Sequence, residues 1–146
     1  MGAHRRTHYL VDGYNLAHAL KGGPMRPDEL LAARESLVRL LRVLTNRRTA
    51  VTIVFDSRTV ASGTTTLGRS GVVEVVYARD ADAAIVDSVR RSAAPETIVV
   101  VSRDRAVAGR AAQLGARTLS VEALLERIER SGAGGPEPGE PPEKYG

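Results

Sequence analysis

The sequence predicts an α/β protein with a central, mostly parallel sheet and helices packed on both of its faces. Three observations predict it. Apolar runs rich in β-branched residues recur along the chain, and one of them, Val51–Phe55, has the continuous pattern of a strand buried on both faces. Segments with apolar residues at helical spacing alternate with these runs. Four of the runs also end close to aspartate: Asp12 after HYLV, Asp56 after VTIVF, Asp80 and Asp82 after VVEVVYA, and Asp104 just beyond TIVVVS. Asp occurs seven times in the chain, so five of the seven sit at or just past a predicted strand end. The strand ends of a parallel sheet open onto one edge, which is where open α/β folds place their chemistry.

Taken in order, residues 1–7 are expected to form a flexible arm, and the folded domain spans residues 8–130. His8–Val11 reads as the first strand, and residues 13–27 as a loop with at most a helical turn around Leu16–Leu20, punctuated by Gly22, Gly23, Pro24 and Pro27. Leu30, Leu31, Leu37, Val38, Leu41 and Leu44 recur at helical spacing, behind the start signals Pro27, Asp28 and Glu29. This helix should fade around Asn46. Strand Val51–Phe55, a Ser/Thr/Gly-rich loop over Ser57–Gly71 and strand Val72–Tyr77 follow. Helices are predicted over Asp82–Ser92 and Asp104–Leu114, the second closed by Gly115. Strands lie at Thr97–Val101 and Arg117–Leu119, and Ser120 caps a last helix over Val121–Arg130. Residues 131–146 hold five Gly and four Pro without an apolar pattern, so they should be disordered.

Composition narrows the chemistry. With no cysteine among 146 residues, disulfides, thiolate metal sites and a cysteine nucleophile are excluded. No apolar stretch is long enough to span a membrane or to follow the basic N-terminus as a signal peptide, so a cytoplasmic protein is expected. The net charge is +4, and the tail over 131–146 carries three Glu against one Lys, which leaves the body at +6. Nineteen of the 21 basic residues are Arg, whose planar fork suits phosphate oxygens. A genome-wide preference for Arg codons explains the same ratio without any ligand.

Like charges gathered at one edge repel each other, so such a cluster persists if solvated, protonated, paired with Arg or neutralised by a divalent cation. Carboxylates without thiolates or a histidine cluster suit a hard ion, Mg²⁺ or Mn²⁺. A metal so held polarises a phosphoryl oxygen and activates water, the chemistry of phosphodiester hydrolysis. Each aspartate also has an ordinary structural reading. Asp12 and Asp56 suit turns, Asp82 suits the first turn of a helix, and Asp104 suits a cap. Asp80 reads as a cap or an outer group of the cluster. Their coincidence at one edge favours the functional reading.

Six pieces of this chain, in register, resemble the bacterial NYN-domain proteins of the YacP-like type, within the PIN-like nuclease superfamily. They are VDGYN at Val11–Asn15, AARESLVRLL from Ala32, VTIVFD to Asp56, ADAAI at Ala81–Ile85, VVVSRDR at Val99–Arg105 and LGARTLS at Leu114–Ser120. The resemblance implies a PIN-like fold with an acidic pocket for Mg²⁺ or Mn²⁺. It also implies endonucleolytic cleavage of RNA, with ribosome-associated mRNA as one setting. By position, Asp12, Asp56, Asp82 and Asp104 become the catalytic, metal-binding carboxylates. Asn15 becomes a polar companion that orients a ligand or water, with Ser102 and Asp80 in support. The chain departs from the family in reading Ser102-Arg103-Asp104 where T-S-D is usual, and in carrying Ala84 where relatives often have a polar or acidic residue. Arg103 either grips a phosphate or pairs with a carboxylate.

Arg58, Arg69, Arg79, Arg103 and Arg105 lie near the proposed edge and are candidates for backbone phosphate contacts; a solvated surface is the plain alternative. Tyr14 either stacks on a base or packs over the sheet edge. His4, His8 and His18 lack ligand spacing and are read as incidental. Gly63–Ser70 lacks the flanking strand and helix that a P-loop needs. The serious rival is a nuclease-fold RNA-binding or ribosome-associated module without turnover.

Overall fold

The computed structural model describes residues 6–56 and 73–133. Its sheet has five strands: β1 (Thr7–Asp12), β2 (Thr49–Asp56), β3 (Val73–Ala78), β4 (Ile98–Val101) and β5 (Arg117–Leu119). Every pairing is parallel and the spatial order is β3-β2-β1-β4-β5. The chain starts in the middle, steps outward through β2 and β3, and returns to β4 on the far side of β1. The order therefore reverses between β1 and β4, and a crevice opens there at the carboxyl ends of the strands.

Among the described residues five helices cover the sheet: α1 (Gly13–Lys21), α2 (Pro27–Leu41), α3 (Ala81–Arg91), α4 (Arg105–Gln113) and α5 (Val121–Ala133). A 3-10 turn over Arg42–Leu44 extends α2, and another over Pro95–Thr97 leads into β4. Strand alternation divides the core between two layers. Tyr9, Val11, Ile53, Phe55, Val99 and Val101 face α1, α2 and α5, where Leu16, Leu37 and Leu124 bury against them. Leu10, Val54, Ile98 and Val100 face α3 and α4, against Ile85, Val86 and Val107. The expected three-layer α/β fold with helices on both faces is present.

One expectation fails. Residues 13–21 form a full helix, not a loop with a single turn. Asp12 both ends β1 and caps α1, accepting the Asn15 N–H at 3.0 Å, so no linker separates strand from helix. Leu16 and Ala17 supply its buried face, and Gly22, at φ 83°, closes it in the left-handed region.

Other boundaries shift by a residue or two. Thr7, assigned to the arm, opens β1, and α5 runs to Ala133. The loop expected over Ser57–Gly71 and the tail over 134–146 lie outside the described residues. Gly115 does occupy positive φ, at 106°. Ser120 does cap α5, accepting from Ala123 N at 3.0 Å. Among the described residues no helix is long and apolar enough to cross a membrane.

Candidate active site

Asp12, Asp56, Asp80, Asp82 and Asp104 line one pocket of about 450 Å³ at the carboxyl edge, together with Tyr14 and Asn15. Met25 and Leu30 form an apolar side of it that sequence reasoning missed. Leu30 stood out only as a core position of its helix, and Met25 carried no periodic signal.

Asp12 sits deepest, at 6 % exposure. Burial pushes its carboxyl up to about 6; the Asn15 and Tyr14 N–H groups oppose the shift, and the charges of Asp82 and Asp104 add to it. Asp82, in the first turn of α3, is also raised, first by burial and then by Asp104, which lies within hydrogen-bonding reach, with Asp80 and Asp56 adding repulsion. These mutual effects are the electrostatic signature of one cluster drawn from four segments. Asp56 ends β2, half-buried.

Asp80 and Asp104 hold helix N-termini as well. Asp80 caps α3 through Ala83 N at 3.1 Å, and Asp104 caps α4 through Ala106 N at 2.9 Å and Val107 N at 3.3 Å. Asp104 therefore caps α4 and lines the pocket at the same time. Its side chain uses one oxygen on the helix while its charge reaches Asp12 and Asp82.

The glycine of VDGYN has a steric cause. A Cβ on Gly13 would stand 2.6 Å from Phe55 Cε1, and the Phe55 ring is fully buried and stacked on Tyr77. Asn15 ties α1 to the segment after β4. Its Oδ1 accepts from Arg103 N at 2.7 Å and from Ser102 Oγ at 3.2 Å, and Ser102 Oγ accepts from Asp104 N at 3.0 Å.

The five arginines divide. Arg58 and Arg69 lie outside the described residues, while Arg79, Arg103 and Arg105 belong to the described surface. Arg103 donates to Glu122 Oε2 at 2.7 Å, a carboxylate of α5 that does not line the pocket, and holds Glu122 below its usual range. Arg34 donates to the Tyr77 hydroxyl, tying α2 to β3. Tyr14 lines the pocket and stacks on His18 at 5.8 Å. His8 bonds to Thr52 Oγ1 at 2.8 Å on the α3 face, so both of these histidines are engaged within the fold.

The donor chemistry fits a hard divalent cation: oxygen donors only, repelling one another in one pocket. As they stand, no group of three or more His, Cys, Asp or Glu among the described residues is gathered tightly enough to hold a metal ion. That geometry is compatible with Mg²⁺, which keeps several waters and takes one or two carboxylates plus substrate phosphates.

A model of the YacP-like NYN domain matches residues 9–136 of this sequence. The chain belongs to the YacP-like NYN domain family. Two crystal structures of Rae1 (YacP) from Bacillus subtilis share the NYN fold seen here. One, of a mutant form, matches with a TM-score of 0.67 at 23 % identity over 86 % of this chain and 77 % of that one. The other matches with a TM-score of 0.64 at 24 % identity over 85 % and 74 %. Comparison with curated proteins gives no match. The YacP-like NYN assignment places the chain in a nuclease superfamily.

Proposed function

We propose that this protein is a divalent-metal-dependent ribonuclease that hydrolyses RNA phosphodiester bonds endonucleolytically at the acidic pocket. The observation that carries the reading is the convergence of five aspartates, with Asp12 buried and raised to about 6, in one open crevice. Capping α1 uses the Asp12 carboxylate but does not offset its burial or the repulsion from Asp82 and Asp104; a cation would relieve both.

Asp12, Asp56, Asp82 and Asp104 are the carboxylates assigned to metal binding and catalysis, with Mg²⁺ or Mn²⁺ as the ion. Bound there, the ion would polarise a phosphoryl oxygen and lower the pKa of water. The chain's own part is positional. Asn15 and Ser102 fix the segment that presents Asp104, and Asp80 fixes the helix that presents Asp82. Asp12, deepest in the pocket, is the carboxyl most prone to hold a proton near neutrality and so to release one when a cation enters. Arg79 and Arg105, with Arg58 and Arg69 by sequence position, are assigned to backbone phosphates. Arg103 is engaged by Glu122 and contributes less. The substrate setting is cytoplasmic RNA, with ribosome-associated mRNA included.

The test is cleavage of a labelled single-stranded RNA in Mn²⁺, Mg²⁺ or EDTA by the wild type and by folded Asp56→Asn and Asp82→Asn variants. Metal-dependent cutting lost in both variants supports the reading. Cutting that survives both substitutions rejects it. RNA binding without cutting favours the module without turnover.

A further inference from the structure

The opposite pole, built from the amino ends of the strands, carries a basic hollow. Thr7 of β1 pairs with Thr49 of β2, and Thr7 N donates to Arg48 O at 2.7 Å, so the main chain brings Arg6, Arg47 and Arg48 to one place. Asn46 and Thr49 line a hollow of about 380 Å³ whose other wall is α5, lined by Arg127 and Arg130. Arg127 and Arg130 line the hollow, while Arg6, Arg47 and Arg48 flank it along the chain without lining it; all five are exposed, and none forms an ion pair with a carboxylate among the described residues. Glu126 and Glu129 share α5 with Arg127 and Arg130, and neither lines the hollow.

Two details make the hollow more than a charged surface. Arg127 Nη1 donates to the buried Tyr9 hydroxyl at 2.9 Å, which holds the guanidinium in place and leaves its other donors available. Val43, one of two large hydrophobics exposed among the described residues, at 46 %, joins Leu44 in an apolar shelf beside those donors. Guanidiniums at the rim and an apolar shelf suit a nucleotide, with phosphate at the first and base face at the second.

Resting on the ribonuclease reading, we infer that this hollow is a second RNA-contact surface that grips the phosphate backbone away from the site of cutting. An acidic pocket repels phosphate until its cation is in place, so affinity from a remote basic surface solves a problem the pocket creates. The two surfaces lie at opposite ends of β1, about 17 Å apart at the strand rise of about 3.3 Å per residue. Only an RNA long enough to span that distance gains from both.

The experiment measures binding of labelled single-stranded RNAs of about 20 and about four nucleotides in EDTA at several salt concentrations. Two variants are used, Arg47→Glu with Arg48→Glu and Arg127→Gln with Arg130→Gln, each checked for folding by circular dichroism. Both should weaken the long RNA by about tenfold. Both should also flatten its salt dependence, by about 0.7 in slope for every phosphate that is no longer neutralised. The short RNA, which places fewer phosphates in the hollow, should lose less than the long one. Unchanged binding of the long RNA, equal loss for both RNAs, or no RNA binding by the wild type overturns the inference. Cleavage of the short RNA in Mn²⁺ keeps the two readings apart. A protein that cuts but ignores the substitutions loses only the hollow, and one that binds through the hollow but never cuts loses only the ribonuclease reading.

Discussion

Asn15 Oδ1 accepts the main-chain N–H of Arg103 at 2.7 Å, which joins the first turn of α1 to the segment after β4 across the point where strand order reverses. The same oxygen takes the Ser102 hydroxyl. One amide therefore sets the position of Asp104 relative to Asp12. Asn15→Ala should cost about 1–2 kcal/mol in urea unfolding, because two donors lose their acceptor, and it should reduce RNA cleavage more than tenfold. Asn15→Asp keeps the acceptor and should recover part of the stability. An alanine variant as stable as the wild type would refute the bridging role.

Asp12 links the site to stability. Its carboxyl is raised from the ordinary aspartate value of 3.8 to about 6, so the folded state binds the proton more tightly than the unfolded chain. The stability this confers is present below about pH 4 and is lost as pH rises through 6. The gap between the two values corresponds to about 3 kcal/mol. Asp12→Asn retains a capping oxygen for Asn15 N and removes the charge. It should stabilise the protein at pH 7.5 by about 1–3 kcal/mol, show no such gain at pH 4, and abolish cleavage. Urea titrations at the two pH values check the sign; a loss of stability at pH 7.5 would contradict it.

Gly13→Ala should destabilise the fold by about 1–3 kcal/mol, since the new methyl meets the buried Phe55 ring at 2.6 Å. Pairing it with Phe55→Leu, which removes the ring edge, should cost less than the sum of the two single changes, as a double-mutant cycle would register.

Most of this architecture was legible in the chain. β2 and β4 are continuous apolar runs because both faces are buried, and their pattern admits few other readings. The carboxylates were legible because a parallel sheet sends every strand end to one edge. The helix at Gly13–Lys21 was not, because Gly13 and Asn15 read as turn residues when taken locally. Their reasons are tertiary: Gly13 makes room for Phe55, and Asn15 reaches the β4–α4 segment. Leu16, Ala17 and Leu20 ahead of Gly22 were the available signal. The pairing of Arg103 with Glu122 depends on β5 lying beside β4, so that α5 starts next to the end of β4, which no local pattern encodes.

Glu122→Gln releases Arg103 from its ion pair. Because both side chains are exposed, stability should barely move. RNA affinity at low salt should rise about two- to threefold and converge with the wild type at high salt, where the added charge is screened. Unchanged affinity at low salt would place Arg103 outside the RNA path.

The proposal that Asp12, Asp56, Asp82 and Asp104 hold a cation can be checked by calorimetric titration of Mn²⁺ into the wild type and into Asp82→Asn at pH 7.5. Binding should be saturable, reversed by EDTA and able to raise the melting temperature, and it should be lost or weakened at least tenfold in Asp82→Asn. No binding by the wild type, or equal binding by the variant, would contradict it.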